Sequence, residues 1–380
     1  SAFAAVSPSA EVLIVARVVQ GLGSAAMIPS SLSLALLAFP ATRRSLAVGA
    51  WAGVTAIAGA SGPPIGAALI QFGSWRLVFL VAIPIGVFTL VVGSRLFSDG
   101  ALGARPGRLD LVSGPLAAIS VGLVVAVLLQ SATWGWDDPR VIAALVAAPM
   151  LMGLVVYRSA RHPTPLLDLD LFRSRRFVVA SSMTTLYNAA GSGYWLAAPL
   201  FLQLVWGWSV LASGLAIAPT PLTHALLAAP MGRRADSGAH RPLMITGALI
   251  TMVGMAGLAL STDSTPDYWT EIFPFAILIG VGGAMAWPVF TSGALIDVVP
   301  EQYGEANGVN LTMRQLGAAL GVAVVIAVIG NESDPGPEPF QAAWALAAAG
   351  LLVVAAVVTV FYPAGKRTSF RPRSRSKSPL

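Results

Sequence analysis

Read from its first residue, the chain alternates long apolar runs with short polar breaks. Eleven runs approach or exceed the roughly 20 residues a helix needs to cross the hydrocarbon core of a bilayer. They are Val12–Ala38, Leu46–Ile70, Leu77–Leu96, Leu111–Gln130, Val141–Tyr157, Phe177–Val205, Val210–Met231, Pro242–Leu260, Ile272–Leu295, Asn307–Ile329 and Phe340–Tyr362. The breaks are punctuated by Gly, Pro, Asp and Arg, the residues that stop helices and build turns. The runs lack the two-residue alternation and Asn-Gly hairpins of a membrane β-barrel. Pro and Gly recur inside several runs, as membrane helices tolerate. The pattern predicts an all-α polytopic membrane protein with about eleven spans.

Composition agrees. Of 380 residues, 56% are hydrophobic and 11% charged, against roughly 25% charged in a soluble domain. So few charges cannot cover a soluble surface of this size, which excludes an ordinary soluble enzyme. The chain contains no cysteine, so disulfides, thiolate catalysis and Cys-ligated metals are excluded together.

Charge then orients the spans. If they alternate in direction, one face collects 19 of the 23 cations: Arg43, Arg44, Arg95, Arg105, Arg108, Arg158, Arg161, Arg173, Arg175, Arg176, Arg233, Arg234, Arg241 and six in the tail after residue 365. The positive-inside rule puts this face, and with it the C-terminus, in the cytoplasm. The opposite loops hold Arg76 and Arg140, with Trp134, Trp136, Trp206, Trp208 and Trp269 placed for an interfacial belt. The net charge of +6 is therefore topology, not nucleic-acid affinity. The Arg- and Ser-rich tail 363–380 reads as a disordered, basic cytoplasmic segment.

Two runs carry unusual patterns. The first reads Leu13-x3-Arg17-x2-Gln20-Gly21-x-Gly23-Ser24-Ala25. An arginine in an apolar helix either faces a cavity or a carboxylate, or snorkels to the surface, and spacing alone leaves both open. The second reads Gly49-x8-Ala58-x3-Gly62-Pro63-Pro64-x-Gly66-Ala67, a face of small residues with two prolines that withhold amide donors and bend the helix.

These strings resemble motifs B and C of the major facilitator superfamily, the second with Ala58 and Ala67 where the family usually has Gly. Three further strings resemble its 14-helix drug:proton antiporters, in order along the chain. They are Gly73-Ser-Trp75-Arg76-x2-Phe79-Leu80…Pro84-x-Gly86, Arg108-x-Asp110-Leu-x2-Gly114, and Arg314-Gln315-x-Gly317-x3-Gly321. The resemblance implies the major facilitator fold, with the eleven runs standing for family helices four to fourteen. Family helices one, two and most of three would be missing, with the acidic residue usual in helix one. It implies a partial N-terminal bundle over 1–97, two extra linker helices and their loops over 98–176, and a C-terminal six-helix bundle over 177–362. The expected activity is proton-coupled export of lipophilic or cationic small molecules by alternating access, in a monomer embedded in the cell membrane.

By the same resemblance Arg17, Gln20 and Gly21 would couple proton to substrate, and Gly49, Gly62, Pro63 and Gly66 would form the antiporter motif. A degenerate motif A, Gly232, Arg234, Asp236 and Arg241, would hold a cytoplasmic gate, although an ordinary basic turn fits it as well. Polar residues within the runs are costly in lipid. Tyr187, Asn188, His224, Asn310 and Arg314 are accordingly the candidate substrate cavity. His224 is open to two readings, a proton carrier or a hydrogen-bonded packing residue. Trp195, Phe201, Trp287 and Phe290 fit either an aromatic cavity wall or a lipid-facing surface. Asp110, Asp297, Glu301 and Glu305 read as solvated helix caps. No catalytic constellation, phosphate loop or metal spacing emerges, so no cofactor, metal or nucleic-acid partner is expected. Three other readings stand beside it: an importer of the same superfamily, a non-transporting fragment, and a membrane-embedded lipid-modifying enzyme. The last wants paired carboxylates at a helix end, and none stands out.

Overall fold

A computed structural model describes residues 1–38, 44–96, 112–162, 169–298, 302–330 and 335–364. Each of the eleven runs is helical over most of its described residues. A short helix α1 (Ala2–Ala5) precedes α2 (Ala10–Ala38) and α3 (Arg44–Gln71), followed by α4 (Trp75–Leu80), α5 (Ala82–Leu96), α6 (Ser113–Trp134) and α7 (Pro139–Arg161). After a 3-10 turn at Leu169–Arg173 come α8 (Arg175–Leu204), α9 (Val210–Ala216), α10 (Pro219–Asp236), α11 (His240–Ser261) and α12 (Tyr268–Glu271). The last three are α13 (Phe273–Leu295), α14 (Tyr303–Ile329) and α15 (Glu338–Phe361). Among the described residues, seven helical stretches are long and apolar enough to cross a membrane by length and composition. Helices suit that solvent because every backbone donor and acceptor is satisfied within the segment.

The runs differ from single straight helices where proline interrupts the hydrogen-bond ladder. Leu77–Leu96 is split between α4 and α5 at Val81, because Pro84 has no N–H to give the carbonyl of Leu80. Val210–Met231 is split between α9 and α10, where Pro219 and Pro221 leave the carbonyls of Leu215 and Ile217 without their helical donors. Caps set other ends: the Asp138 carboxylate accepts from Arg140 N at 2.7 Å with Pro139 beside it, and Ser174 Oγ accepts from Phe177 N at 3.2 Å.

The chain divides into two compact units, Ser1–Pro106 with Trp208–Pro221, and Gly107–Gly207 with Leu222–Leu380. Helices α6 and α7 thus lie in the second unit, and α9 in the first. In the first unit α2 and α4 flank α3, and α3 packs on α9. There the small-residue face of α3 receives α9: a Cβ added at Gly214 would lie 2.6 Å from Ala67 Cβ and 3.4 Å from Pro63 O.

In the second unit α8 packs on α13, α14 and α15, and α11 packs on α13 and α15. The α6–α7 hairpin, joined by Ser120 Oγ donating to Ala148 O at 2.7 Å, lies against α14 through α6. The α8–α14 contact is close because Gly317 and Gly321 lack side chains. A Cβ at either would fall on the backbone carbonyl of Thr185 or Ala189 respectively. One end of this unit is closed by rings, with Phe201 against Trp206, Phe340 and Trp344 at 5.3, 5.5 and 5.3 Å between centroids. Trp206 Nε1 donates there to Asp263 O at 2.8 Å, and Gln341 Nε2 to Thr262 O at 2.7 Å.

The other end is closed by charge. Arg176 at the start of α8 donates to Asp297, just beyond α13, at 2.8 Å, with side chains only 4% and 9% exposed. Tyr362 donates nearby to the carbonyl of Gly293 at 2.9 Å. This corrects the expectation that Asp297 is a solvated cap: it is a buried partner of a cation counted among the loop charges. Asp110 and Glu301, the cations Arg43, Arg105 and Arg108, and tail residues 365–380 lie outside the described residues.

Candidate functional site

The candidate residues fall into separate places, and only some of them meet. In the first unit Arg17 is exposed on α2. Its guanidinium donates to Gln20 Oε1 at 2.9 Å and stands 5.4 Å from the centroid of the Phe79 ring. Gln20 in turn donates to Ser1 Oγ at 3.0 Å. Among the described residues no carboxylate pairs with Arg17. Gly21 is exposed one position further along the same helix. Gly49, Gly62, Pro63 and Gly66 all lie in α3, and Pro63 forms part of the face that meets α9.

The stretch resembling motif A runs from the end of α10 into α11. Arg234 and Asp236 are exposed, Gly232 is half-buried, and Ser237 Oγ donates to Arg234 O at 2.7 Å. Gly238 makes the turn at φ 98°, a conformation that suits a residue without Cβ. Arg241 reaches away from this turn to the carbonyl of Thr359. Among the described residues no ion pair joins Asp236 to Arg234 or Arg241.

Of the cavity candidates, Tyr187 and Asn310 are packing residues of the second unit. Tyr187 is 5% exposed, lies 5.5 Å from Phe290 between ring centroids, and sits 2.9 Å from Thr251 Oγ1. Thr251 gives its own proton to Gly247 O at 2.9 Å, so the tyrosine is the donor to Thr251. Asn310 is fully buried, accepting from Thr291 Oγ1 at 3.1 Å and donating to Ser181 Oγ at 3.4 Å. It ties α8, α13 and α14 together.

Asn188, His224 and Arg314 instead converge on one ring, Trp287 of α13, which is 40% exposed. The indole Nε1–H donates to Asn188 Oδ1 at 3.2 Å, while Asn188 Nδ2 donates to Thr184 O at 2.9 Å. The Arg314 guanidinium carbon lies 4.4 Å from the indole centroid, a cation–π geometry. His224 of α10 meets the same ring edge-on at 5.4 Å. It rests against the backbone of α13 at Gly283, where an added Cβ would lie 3.0 Å from its Nδ1. Four helices, α8, α10, α13 and α14, thus each contribute one side chain. Trp195 is also exposed, at 39%, whereas Phe201 and Phe290 are buried. The four aromatic residues, which fit either a cavity wall or a lipid-facing surface, thus divide into two exposed tryptophans and two buried phenylalanines.

Sequence reasoning missed the central place of Trp287 and the Arg176–Asp297 pair. A signal existed for the first, since Trp287 and Gly283 are one helical turn apart in an apolar run whose hydroxyl side chains, Thr291 and Ser292, come only after them. For the pair there was none, because its members are separated by 121 positions.

The model of the Major Facilitator Superfamily matches residues 1–181 and 177–380. The chain belongs to the Major Facilitator Superfamily. Relatives within it include an uncharacterized MFS-type transporter (Rv1250) of Mycobacterium tuberculosis, 34% identical over 84% of this chain and 55% of the relative. The tetracenomycin C resistance and export protein of Streptomyces glaucescens is 31% identical, covering 86% of this chain and 60% of that protein. An uncharacterized transporter of Escherichia coli, YebQ, is 30% identical over 99% of this chain and 79% of its own length. The chain thus spans between half and two thirds of the length of the first two. Superfamily membership and the apolar helices make it a multi-pass membrane protein.

Proposed function

We propose that this chain serves proton-coupled export of lipophilic or cationic small molecules across the cell membrane by alternating access. The observation that carries the reading is the cluster around Trp287. Four helices of one unit bring an indole face, an imidazole, an amide and a guanidinium together from within four of the apolar runs of the sequence. Such groups are costly in lipid unless they line a cavity, and transporter folds place substrate at such midplane positions between helices. Relatives named for antibiotic resistance and export support the direction and the kind of cargo. The broken stretches α4–α5 and α9–α10 are places where a span can bend without losing further hydrogen bonds.

Proton coupling is assigned to Arg17 and Gln20 of α2, the residues that resemble the family's coupling motif. The cytoplasmic gate is assigned to Gly232, Arg234, Asp236 and Arg241, of which Arg234 and Asp236 are exposed and Arg241 is half-buried against the carbonyl of Thr359. The test is uptake of a lipophilic fluorescent dye into inverted membrane vesicles containing the protein, with the interior acidified. Uptake collapsing on addition of a protonophore is expected, and Arg17→Ala should reduce the gradient-dependent rate about tenfold or more. Uptake indifferent to the protonophore rejects proton coupling, and dye moving only in the opposite direction indicates an importer.

A further inference from the structure

Arg314 sets the charge of the cluster. Its guanidinium lies over Trp287, and its Nε is buried without a hydrogen-bond acceptor. Among the described residues no carboxylate forms an ion pair with it. The nearest acid along its own helix is Glu305, nine positions away, about 13 Å at the rise of an α-helix. The interiors of α8, α10, α11, α13, α14 and α15 contain no Asp or Glu at all. The other polar groups of the cluster do not neutralise it. Asn188 has its oxygen engaged by the indole N–H and its amide nitrogen by Thr184 O, and His224 meets the indole edge.

A membrane-embedded cation is normally met by a counter-charge or by backbone carbonyls. Here the indole face gives partial compensation and leaves donor positions of the fork open. A planar guanidinium with free N–H groups matches a carboxylate in charge and geometry. The exposed part of the Trp287 ring, beside it, matches a flat apolar body.

From this geometry we propose that the cluster binds amphiphilic anions, aromatic carboxylates in the first instance. Arg314 takes the carboxylate, and Trp287 with His224 takes the ring. The inference rests on the exporter reading and narrows its cargo: a cationic substrate would have to approach an uncompensated positive charge, so anionic lipophiles are the preferred class.

The absence of native cysteine permits a site-specific test. Gly191 lies on α8 three positions beyond Asn188, on the same helical face, with open space where a side chain would begin. In the full chain bearing Gly191→Cys as its sole thiol, the rate of maleimide labelling is measured with 2-naphthoxyacetate or with its neutral amide. The carboxylate is expected to slow labelling at least tenfold at a concentration where the amide has less than a twofold effect. Arg314→Gln should abolish this difference and Arg314→Lys should keep part of it. The comparison of the two probes on the unmutated arginine stands even if the glutamine variant does not fold. Equal protection by both probes overturns the anion site while leaving a cavity there. Protection by neither overturns the cluster as a binding site altogether. The vesicle assay separates the two readings: dye uptake with equal protection keeps the exporter and rejects the anion preference, whereas selective protection without uptake keeps the site and rejects the exporter.

Discussion

At the residue scale, the same kind of side chain plays two roles according to what faces it. Arg176 and Arg314 both belong to the second unit. Arg176 is neutralised by Asp297 at 2.8 Å, and Arg314 has only an indole face. The first therefore fixes structure, and the second is available to a ligand. Removing one member of a buried pair leaves the other charge desolvated, which costs about 3–5 kcal/mol. Arg176→Ala and Asp297→Ala should each lower thermal stability of the detergent-solubilised protein by that order. The double variant should be less destabilised than the sum of the two singles; full additivity in the melting curves would show that the pair contributes nothing jointly. Neither partner's importance was legible in the sequence. Asp297 sits two residues past an apolar run and Arg176 one residue before another, positions that solvated caps and loop cations also occupy. Tyr187 and Asn310 show the converse: polar groups within spans satisfied so completely by Thr251, Ser181 and Thr291 that they serve packing.

At the element scale, helix existence followed from hydropathy, but helix continuity followed from proline. Each run needs about 20 apolar residues to be stable in lipid, and that requirement is visible one residue at a time. The breaks at Val81 and at Ile217–Ala218 depend on which carbonyl loses its donor, so the prolines that cause them stand one to four positions downstream. Contact between elements is decided by side-chain volume. Gly317 and Gly321 let α14 lie on the carbonyls of α8, whereas Gly308, on the same helix, has nothing within 4 Å of where its Cβ would be. Gly317→Ala should cost about 1–3 kcal/mol through overpacking. Gly308→Ala should be neutral or slightly stabilising, because alanine loses less backbone freedom in a helix. Parallel thermal melts of the two variants check this, and equal melting temperatures would mean that the helices separate at no cost.

At the scale of the whole molecule, the cation distribution predicts orientation, and the lack of cysteine makes that directly measurable. Ser237, in the exposed turn after α10, and Ser264, in the exposed loop after α11, lie at opposite ends of one helix. In intact cells an impermeant maleimide should label Ser264→Cys and not Ser237→Cys; the reverse pattern would invert the assigned topology. Within the second unit α6 packs on α7 and on α14, the helix that carries Arg314.

The sequence by itself determined the all-α class, the eleven helical runs and the superfamily. Each of these rests on local hydropathy or on short ordered strings that need no knowledge of neighbours. It also named Asn188, His224 and Arg314, since a polar residue in an apolar run is conspicuous wherever the run goes. Only the tertiary structure decided that these three share Trp287 while Tyr187 and Asn310 do not, and that Asp297 is buried. Those outcomes depend on which helix faces meet across long separations in the chain. Facing is set by side-chain volume and close backbone approach, which hydropathy does not encode.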